Sequence, residues 1–323
     1  LAKNKKESEN KREKDPESSK FFIASVQSRI EELTLLVQTA QGIAQSTTGD
    51  SAECQNSIAN SLKNAIKILT KAIEVEEAGK PEISKKWREV AEQQVRSVEP
   101  FNQAARAYAA GKTEEGACWS QAGKGFYYAA EKQEKAIEIE EAGKSELAQK
   151  YREAAGQQIL AVEYDTKAAK AYAKGKEKDG EHWSNVGNRF YNAVENLEKA
   201  LKAEGEGKPE VAEKYREAVE ACTQSARAYT EGKEDEGENW RDASYYFKTA
   251  AENLEKALKA EGEGKLEVVQ KYREAVEACT QSAKAYVEGK KDEGKNWRSA
   301  GYDFKTAAEF VEKALKVEGE GKP

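Results

Sequence analysis

The chain has 323 residues, of which 35% are charged and 38% are hydrophobic, and its formal net charge at pH 7 is -6. Such a composition, with only five prolines, is typical of long solvated helices. The net negative charge, together with the absence of a uniformly basic face, argues against a nucleic acid partner. No run of 18 apolar residues occurs, so the sequence predicts no transmembrane segment.

The first 20 residues form a charged N-terminal tail with seven basic and five acidic side chains and no apolar periodicity. An apolar helical pattern begins at Phe21, and its large aliphatic residues outnumber those of any later segment. Residues 21–78 are therefore predicted to form a divergent hairpin that caps one end of a stacked array.

A Gly-Lys dipeptide, separated by six residues from a following Trp or Tyr, recurs eight times. Glycine supplies the left-handed residue that closes a helix, and lysine or proline can open the next one. Each dipeptide therefore predicts a hairpin turn, with 21 to 30 helical residues between turns, roughly 32 to 45 Å of helix. The eight pairs are Gly79 and Trp87, Gly111 and Trp119, Gly143 and Tyr151, Gly175 and Trp183, Gly207 and Tyr215, Gly232 and Trp240, Gly264 and Tyr272, Gly289 and Trp297.

The turns divide the remaining chain into four hairpin repeats, at residues 79–142, 143–206, 207–263 and 264–323. Residues 207–263 and 264–320 align without a gap and differ at 13 of 57 positions, which identifies a tandem array. One helix of each of these two repeats is seven residues shorter than its counterparts upstream, so the later hairpins should be lopsided. Pro100 lies in the same variable region and predicts a kink or break in the third helix.

WxxAG and YREA motifs recur within these glycine-bounded hairpins, as at Trp119 and Tyr215. In this respect the chain resembles α-solenoid repeat proteins of the tetratricopeptide-like kind. The predicted fold is all-α, with about ten helices in five long antiparallel hairpins stacked as an α-solenoid-like array. Units of 57 and 64 residues depart from the usual 34-residue pattern of that class, so a peptide-binding site does not follow from the resemblance.

The sequence contains few residues that could act in catalysis, and it predicts neither an enzyme nor a cofactor or metal site. The single histidine, His182, precedes Trp183 in a polar turn and is expected to be solvated. The four cysteines show no metal-binding spacing and are interpreted as buried thiols, which favours a reducing compartment. A role in a filament or surface layer would instead place the protein outside the cell. The cysteines are Cys54, Cys118, Cys222 and Cys279.

Two groups of residues are candidates for interactions. Tyr127 and Tyr246 adjoin phenylalanines of the apolar stripe and are predicted to point to the surface. Every second helix also ends in glutamates, which oppose the helix macrodipole and are predicted to form one edge of the array. This edge could dock the basic tail of a neighbouring molecule. The glutamates concerned are Glu204, Glu206, Glu261, Glu263, Glu318 and Glu320, and the basic tail residues are Lys3, Lys5, Lys6, Lys11, Arg12 and Lys14.

Three functions are open at this point. The first is a self-assembling structural subunit of a filament, sheath or surface layer that stacks head to tail, with itself as partner. The second is a monomeric protein-binding scaffold, adaptor or secreted effector with another protein as partner. The third, binding to a membrane surface, is weaker because the apolar faces are needed for hairpin packing.

Overall fold

The computed structural model describes residues 16–319, and eleven helices and no strands lie in this range. The all-α expectation is therefore confirmed for the described chain. The helices are α1 (Pro16–Ser46), α2 (Gly49–Glu77), α3 (Pro81–Val95), α4 (Val98–Ala109), α5 (Thr113–Glu141), α6 (Ser145–Ala173), α7 (Glu177–Gly205), α8 (Pro209–Thr230), α9 (Glu234–Gly262), α10 (Leu266–Val287) and α11 (Lys291–Gly319).

All eight predicted glycine turns are confirmed. Each of these glycines has a positive φ between 70° and 82°, a conformation that only glycine adopts without strain. At the turn after α7, the Gly207 N–H donates to the Glu204 carbonyl at 3.0 Å, and the Lys208 N–H donates to the Ala203 carbonyl at 2.9 Å. This pair of bonds is a Schellman motif, which satisfies carbonyls that the helix end leaves free.

Pro100 explains why eleven helices are present where about ten were predicted. The third arm is interrupted at Arg96 and Ser97, so that α3 and α4 together occupy the place of one helix. Proline has no N–H to donate to the carbonyl four residues earlier, and its ring clashes with that carbonyl. The predicted break is therefore confirmed. The array begins earlier than expected, because α1 starts at Pro16 and not at Phe21.

The predicted difference in arm length is also confirmed. Helices α8 and α10 have 22 residues each, whereas α7, α9 and α11 have 29 residues each. Two helical turns correspond to seven residues, so their removal shortens the arm by about 10 Å and leaves the same face buried.

The chain divides between Arg152 and Glu153, inside α6, into two compact units. In the first unit, α2 packs against α1, α3 and α4 around a core that includes Leu33, Leu62 and Leu69. In the second unit, α8, α9 and α10 each pack against the helix before and the helix after. Alanines line these contacts, and Ala218, which is fully buried, is one of them. Small residues allow the helix axes to approach closely.

A tyrosine near the end of each of α4, α6, α8 and α10 packs onto a glycine near the start of the next helix. A Cβ atom placed on Gly294 would lie 2.7 Å from the Tyr286 ring, and one on Gly237 would lie 2.9 Å from the Tyr229 ring. The Ser282 hydroxyl also donates to the Gly294 carbonyl at 2.8 Å. The tyrosine ring thus occupies the space that any side chain at this position would need.

We expect Gly294→Ala to destabilise the protein by about 1 to 2 kcal/mol, because Tyr286 is buried and stacked on Tyr246 and cannot move aside freely. Gly156→Ala is the matched control, since nothing lies within 4 Å of the added Cβ in the middle of α6. The control should gain up to about 1 kcal/mol from helix propensity. Urea denaturation followed by circular dichroism measures both changes, and equal effects at the two sites would refute the packing argument.

Candidate functional site

The glutamates at the helix ends have partners within the chain. The arginine of the YREA motif pairs with a glutamate of the preceding helix end in three places. Arg152 pairs with Glu140, Arg216 pairs with Glu204, and Arg273 lies 3.5 Å from Glu261. The lysines of the turns also pair with glutamates at the helix ends. Lys208 Nζ lies 2.6 Å from Glu206 Oε2, and Lys265 Nζ lies 2.6 Å from Glu263 Oε2.

These ion pairs give the helix-end glutamates partners that the sequence did not reveal, although exposed pairs of this kind contribute little to stability. The hydrogen bond from Lys208 lowers the pKa of Glu206, and the one from Lys265 lowers the pKa of Glu263. A basic tail that docked on these carboxylates would have to displace their intramolecular partners. The basic tail residues and Glu320 lie outside the described residues, as does the side chain of Glu318, so tail docking stays a prediction.

The prediction that Tyr246 points to the surface is wrong. Its side chain is 7% exposed and stacks on the Tyr286 ring at a centroid distance of 5.5 Å, whereas the adjacent Tyr245 is 62% exposed. Tyr246 follows Ala243 by three residues and precedes Ala250 by four, so it lies on the buried stripe. Because α9 contacts both α8 and α10, it buries a wider face than the narrow stripe that the sequence indicated.

Tyr127 is only partly exposed, and its hydroxyl accepts a hydrogen bond from Asn64 Nδ2 at 2.9 Å. In that segment Tyr128 is the more exposed residue, at 47%. Tyr127 thus joins α5 to α2 inside the first unit. Sequence reasoning therefore chose the wrong tyrosine of each pair as the surface residue.

None of the four cysteines forms a disulfide and all four are buried, which confirms their interpretation as buried thiols. Burial raises the pKa of Cys279 to about 11, so the thiol stays protonated and unreactive at neutral pH. His182 is half-buried and its ring lies 4.8 Å from that of Trp183, so this histidine is only partly solvated. Within residues 16–319, no group of three His, Cys, Asp or Glu residues could hold a metal ion, and no helix is apolar over a length that would cross a bilayer.

A cleft of about 610 Å³ lies between α9 and α11, with α10 as its floor, and sequence reasoning missed it. Cys279 and Asn253 form the bottom, where Asn253 Nδ2 lies 3.9 Å from Cys279 Sγ. The rings of Tyr245 and Tyr302 are 62% and 68% exposed. The lining residues are Tyr245, Tyr246, Thr249, Asn253, Cys279, Arg298, Ser299, Gly301, Tyr302, Asp303 and Lys305.

The sequence did contain a signal for this cleft. Three of the 13 differences between the last two repeats fall on the α11 wall, at alternate positions, and each makes the α11 side chain smaller. Asp242, Ser244 and Tyr246 of α9 correspond to Ser299, Gly301 and Asp303 of α11.

The outer face of α11 is a second candidate surface. On α9, Asn253 and Ala257 are buried against α10. Their α11 counterparts, Phe310 and Ala314, are exposed, and Phe310 is 67% exposed. Within the described residues, a face that is covered by a helix in one repeat is thus open in the next, and it carries Phe310 where the two preceding repeats carry Asn196 and Asn253.

Comparison with known protein families finds no family model that matches the chain, and comparison with curated proteins finds no match either.

Proposed function

We propose that this protein is a non-enzymatic structural repeat protein that assembles head to tail, as a subunit of a filament, sheath or surface layer. The supporting observation is the open face of α11, where Phe310 replaces a buried asparagine and is 67% exposed. In the α9 interface, the Asn253 amide contacts the Cys279 thiol. Phenylalanine at the same position of α11 cannot form such a polar contact, and an exposed ring of this kind favours an apolar partner surface. The proposed partner is α1 of a second copy.

The outer face of α1 has apolar residues of its own. Leu35 is 64% exposed, Leu36 is 42% exposed and Ile43 is 41% exposed, and all three lie within about two helical turns. Helix α1 has 31 residues and α11 has 29, so the two could pack along about 45 Å. A contact between two different faces of identical molecules propagates into an open filament unless its rotation closes a ring.

The charge at the start of α11 differs from that at the start of α9. Glu234 and Glu238 of α9 are replaced in α11 by Lys291 and Lys295, which lie beside Asp292 and Glu293, so this end of α11 is less acidic than the same end of α9. The outer side of α1 has exposed carboxylates at Glu31 and Glu32. Opposite charges steer two such faces together and fix their register more than they add affinity.

The test uses two variants that each disable one face, Leu35→Glu on α1 and Phe310→Asn on α11. Both sites are exposed, so each substitution should change the free energy of unfolding by no more than about 0.5 kcal/mol. The wild-type chain should show increasing mass with concentration in sedimentation velocity and ordered fibres in negative-stain electron microscopy. Each variant alone should stay monomeric, and an equimolar mixture should form a dimer that does not grow.

The mixture separates head-to-tail assembly from its alternatives. A symmetric contact between two α11 faces would let Leu35→Glu dimerise alone, which contradicts the proposal. Leu266→Glu serves as the control, because Leu266 is 75% exposed but lies on neither face. A wild-type chain that stays monomeric at every concentration would refute self-assembly. Deletion of residues 1–15, which removes the basic tail residues and leaves α1 whole, should abolish assembly only if tail docking contributes.

The alternative function is a monomeric scaffold that binds another protein, and a different observation favours it. A structural array has no need to vary the side chains that line a groove, yet the α11 wall of the cleft differs from α9 at three alternate positions. A composite binding site requires such differences between repeats. This alternative predicts a monodisperse chain in the sedimentation experiment above.

A further inference from the structure

We infer that the cleft between α9 and α11 binds a short acidic peptide segment of another protein. This inference does not depend on self-assembly, because the cleft lies within one chain and Phe310 does not line it. Its volume of about 610 Å³ is in the range of sites that enclose a few side chains of a ligand.

The cleft exists because three side chains of α11 are small. A Cβ atom on Gly301 would already lie 3.1 Å from Cys279 Sγ, so any larger residue would fill the floor. At the equivalent position α9 has Ser244, whose hydroxyl donates to the Arg241 carbonyl. Asp303 replaces a buried tyrosine and is itself exposed, which opens the adjoining wall.

The composition of the lining resembles that of surfaces that bind peptides and proteins. Tyr245 and Tyr302 occupy equivalent positions on α9 and α11, and their rings present large, rigid, amphipathic surfaces on opposite walls. Tyrosine, serine, glycine, asparagine and arginine predominate in antibody binding surfaces, because they combine contact area with adaptable hydrogen bonding. Among the lining residues, Asp303 is exposed and the Cys279 thiol stays protonated at neutral pH, so neither supplies a buried anion.

The charges indicate an acidic ligand. Two cations, Arg298 and Lys305, and one anion, Asp303, line the cleft, which leaves it net positive on a chain of net charge -6. The exposed Arg298 side chain lies beside the Tyr246 hydroxyl and interacts with it. Arginine offers several further donors, and its planar group suits a carboxylate. An aliphatic or aromatic side chain of the same peptide would pack between the two exposed tyrosines.

The experiment selects a displayed random octapeptide library on the immobilised wild-type chain at low density, with a filled-cleft variant as the reference. That variant, Ser299→Asp with Gly301→Ser and Asp303→Tyr, gives α11 the residues that α9 already carries, so we expect it to fold. Enriched peptides should contain aspartate or glutamate next to a large apolar residue. Their affinity, measured by fluorescence anisotropy, should fall at least tenfold for the filled-cleft variant.

A second variant, Arg298→Ser, leaves Ser299, Gly301 and Asp303 in place and removes one of the two cations of the cleft. It should also weaken acidic peptides at least tenfold, with an unchanged thermal melt. Failure to enrich any peptide over the filled-cleft variant, or enrichment of basic or uncharged peptides, would overturn the inference. The same selection on Phe310→Asn should give the same peptides, which separates this result from that of the assembly experiment.

Discussion

Asp165→Asn should stabilise the protein at neutral and alkaline pH and leave its stability nearly unchanged near pH 4. Asp165 is 2% exposed, and burial raises the pKa of its carboxyl group to about 7. The Tyr191 hydroxyl donates to the carboxylate, and no basic group balances its charge among the interactions that shift this pKa. A buried carboxylate without a cation costs free energy that a neutral amide of the same shape does not.

The sign of the pH dependence follows from the raised pKa. An unfolded aspartate titrates near pH 4, so between about pH 4 and pH 7 the folded chain binds more protons than the unfolded chain. The free energy of unfolding therefore falls as the pH rises through this window, and the penalty is complete above pH 7. We expect Asp165→Asn to recover about 2 to 4 kcal/mol at pH 8.

Urea denaturation of both chains from pH 4 to pH 8 measures this effect. Asp292→Asn is the matched control, because that carboxylate is 98% exposed and should produce no comparable change. A gain for Asp165→Asn that is the same at pH 4 and pH 8 would show that charge burial is not its cause. No gain at pH 8 would show that the carboxylate is solvated in solution.

Phe101→Ala should destabilise the first unit by about 4 kcal/mol, the typical cost of removing a buried phenylalanine. Phe101 is 2% exposed and belongs to the core that includes Leu69. Its ring lies on Gly123, where a Cβ atom would be 2.8 Å away, so helices α4 and α5 approach closely at this point. The alanine variant would leave a cavity that the helix backbones cannot fill without moving.

Thermal and urea denaturation measure this loss, with Phe21→Ala as the control. Phe21 is 79% exposed on α1, and its removal should cost no more than about 0.5 kcal/mol. Comparable losses for the two variants would mean that Phe101 is not part of a tightly packed core.

Phe101 and Asp165 occupy equivalent positions in successive repeats, 64 residues apart, and each of them faces a glycine. Phe101 packs on Gly123, whereas a Cβ atom on Gly187 would lie 2.8 Å from an oxygen of Asp165. The alignment of the repeats shows the exchange of phenylalanine for aspartate. It does not show that the aspartate remains buried, because an acidic residue in a helix is ordinarily read as solvated.

The sequence by itself determined the turns, the break at Pro100 and the arm lengths. Gly79 and its seven counterparts specify left-handed residues, and Pro100 specifies the break, because these effects depend on the backbone of the residue itself. The repeat spacing then determined that two of the arms are shorter by two helical turns. Each of these features is local, so the order of residues is sufficient to predict it.

Only the tertiary structure decided which side chains are exposed and which are partnered. Tyr246 is buried and Tyr245 is not, because α9 is covered on two sides, and the number of neighbours of a helix cannot be read from its own periodicity. Glu204 pairs with Arg216, 12 residues later, because the turn brings the two helices together. The cleft, similarly, depends on space between α9 and α11, and such space is a property of three packed helices and not of any one segment.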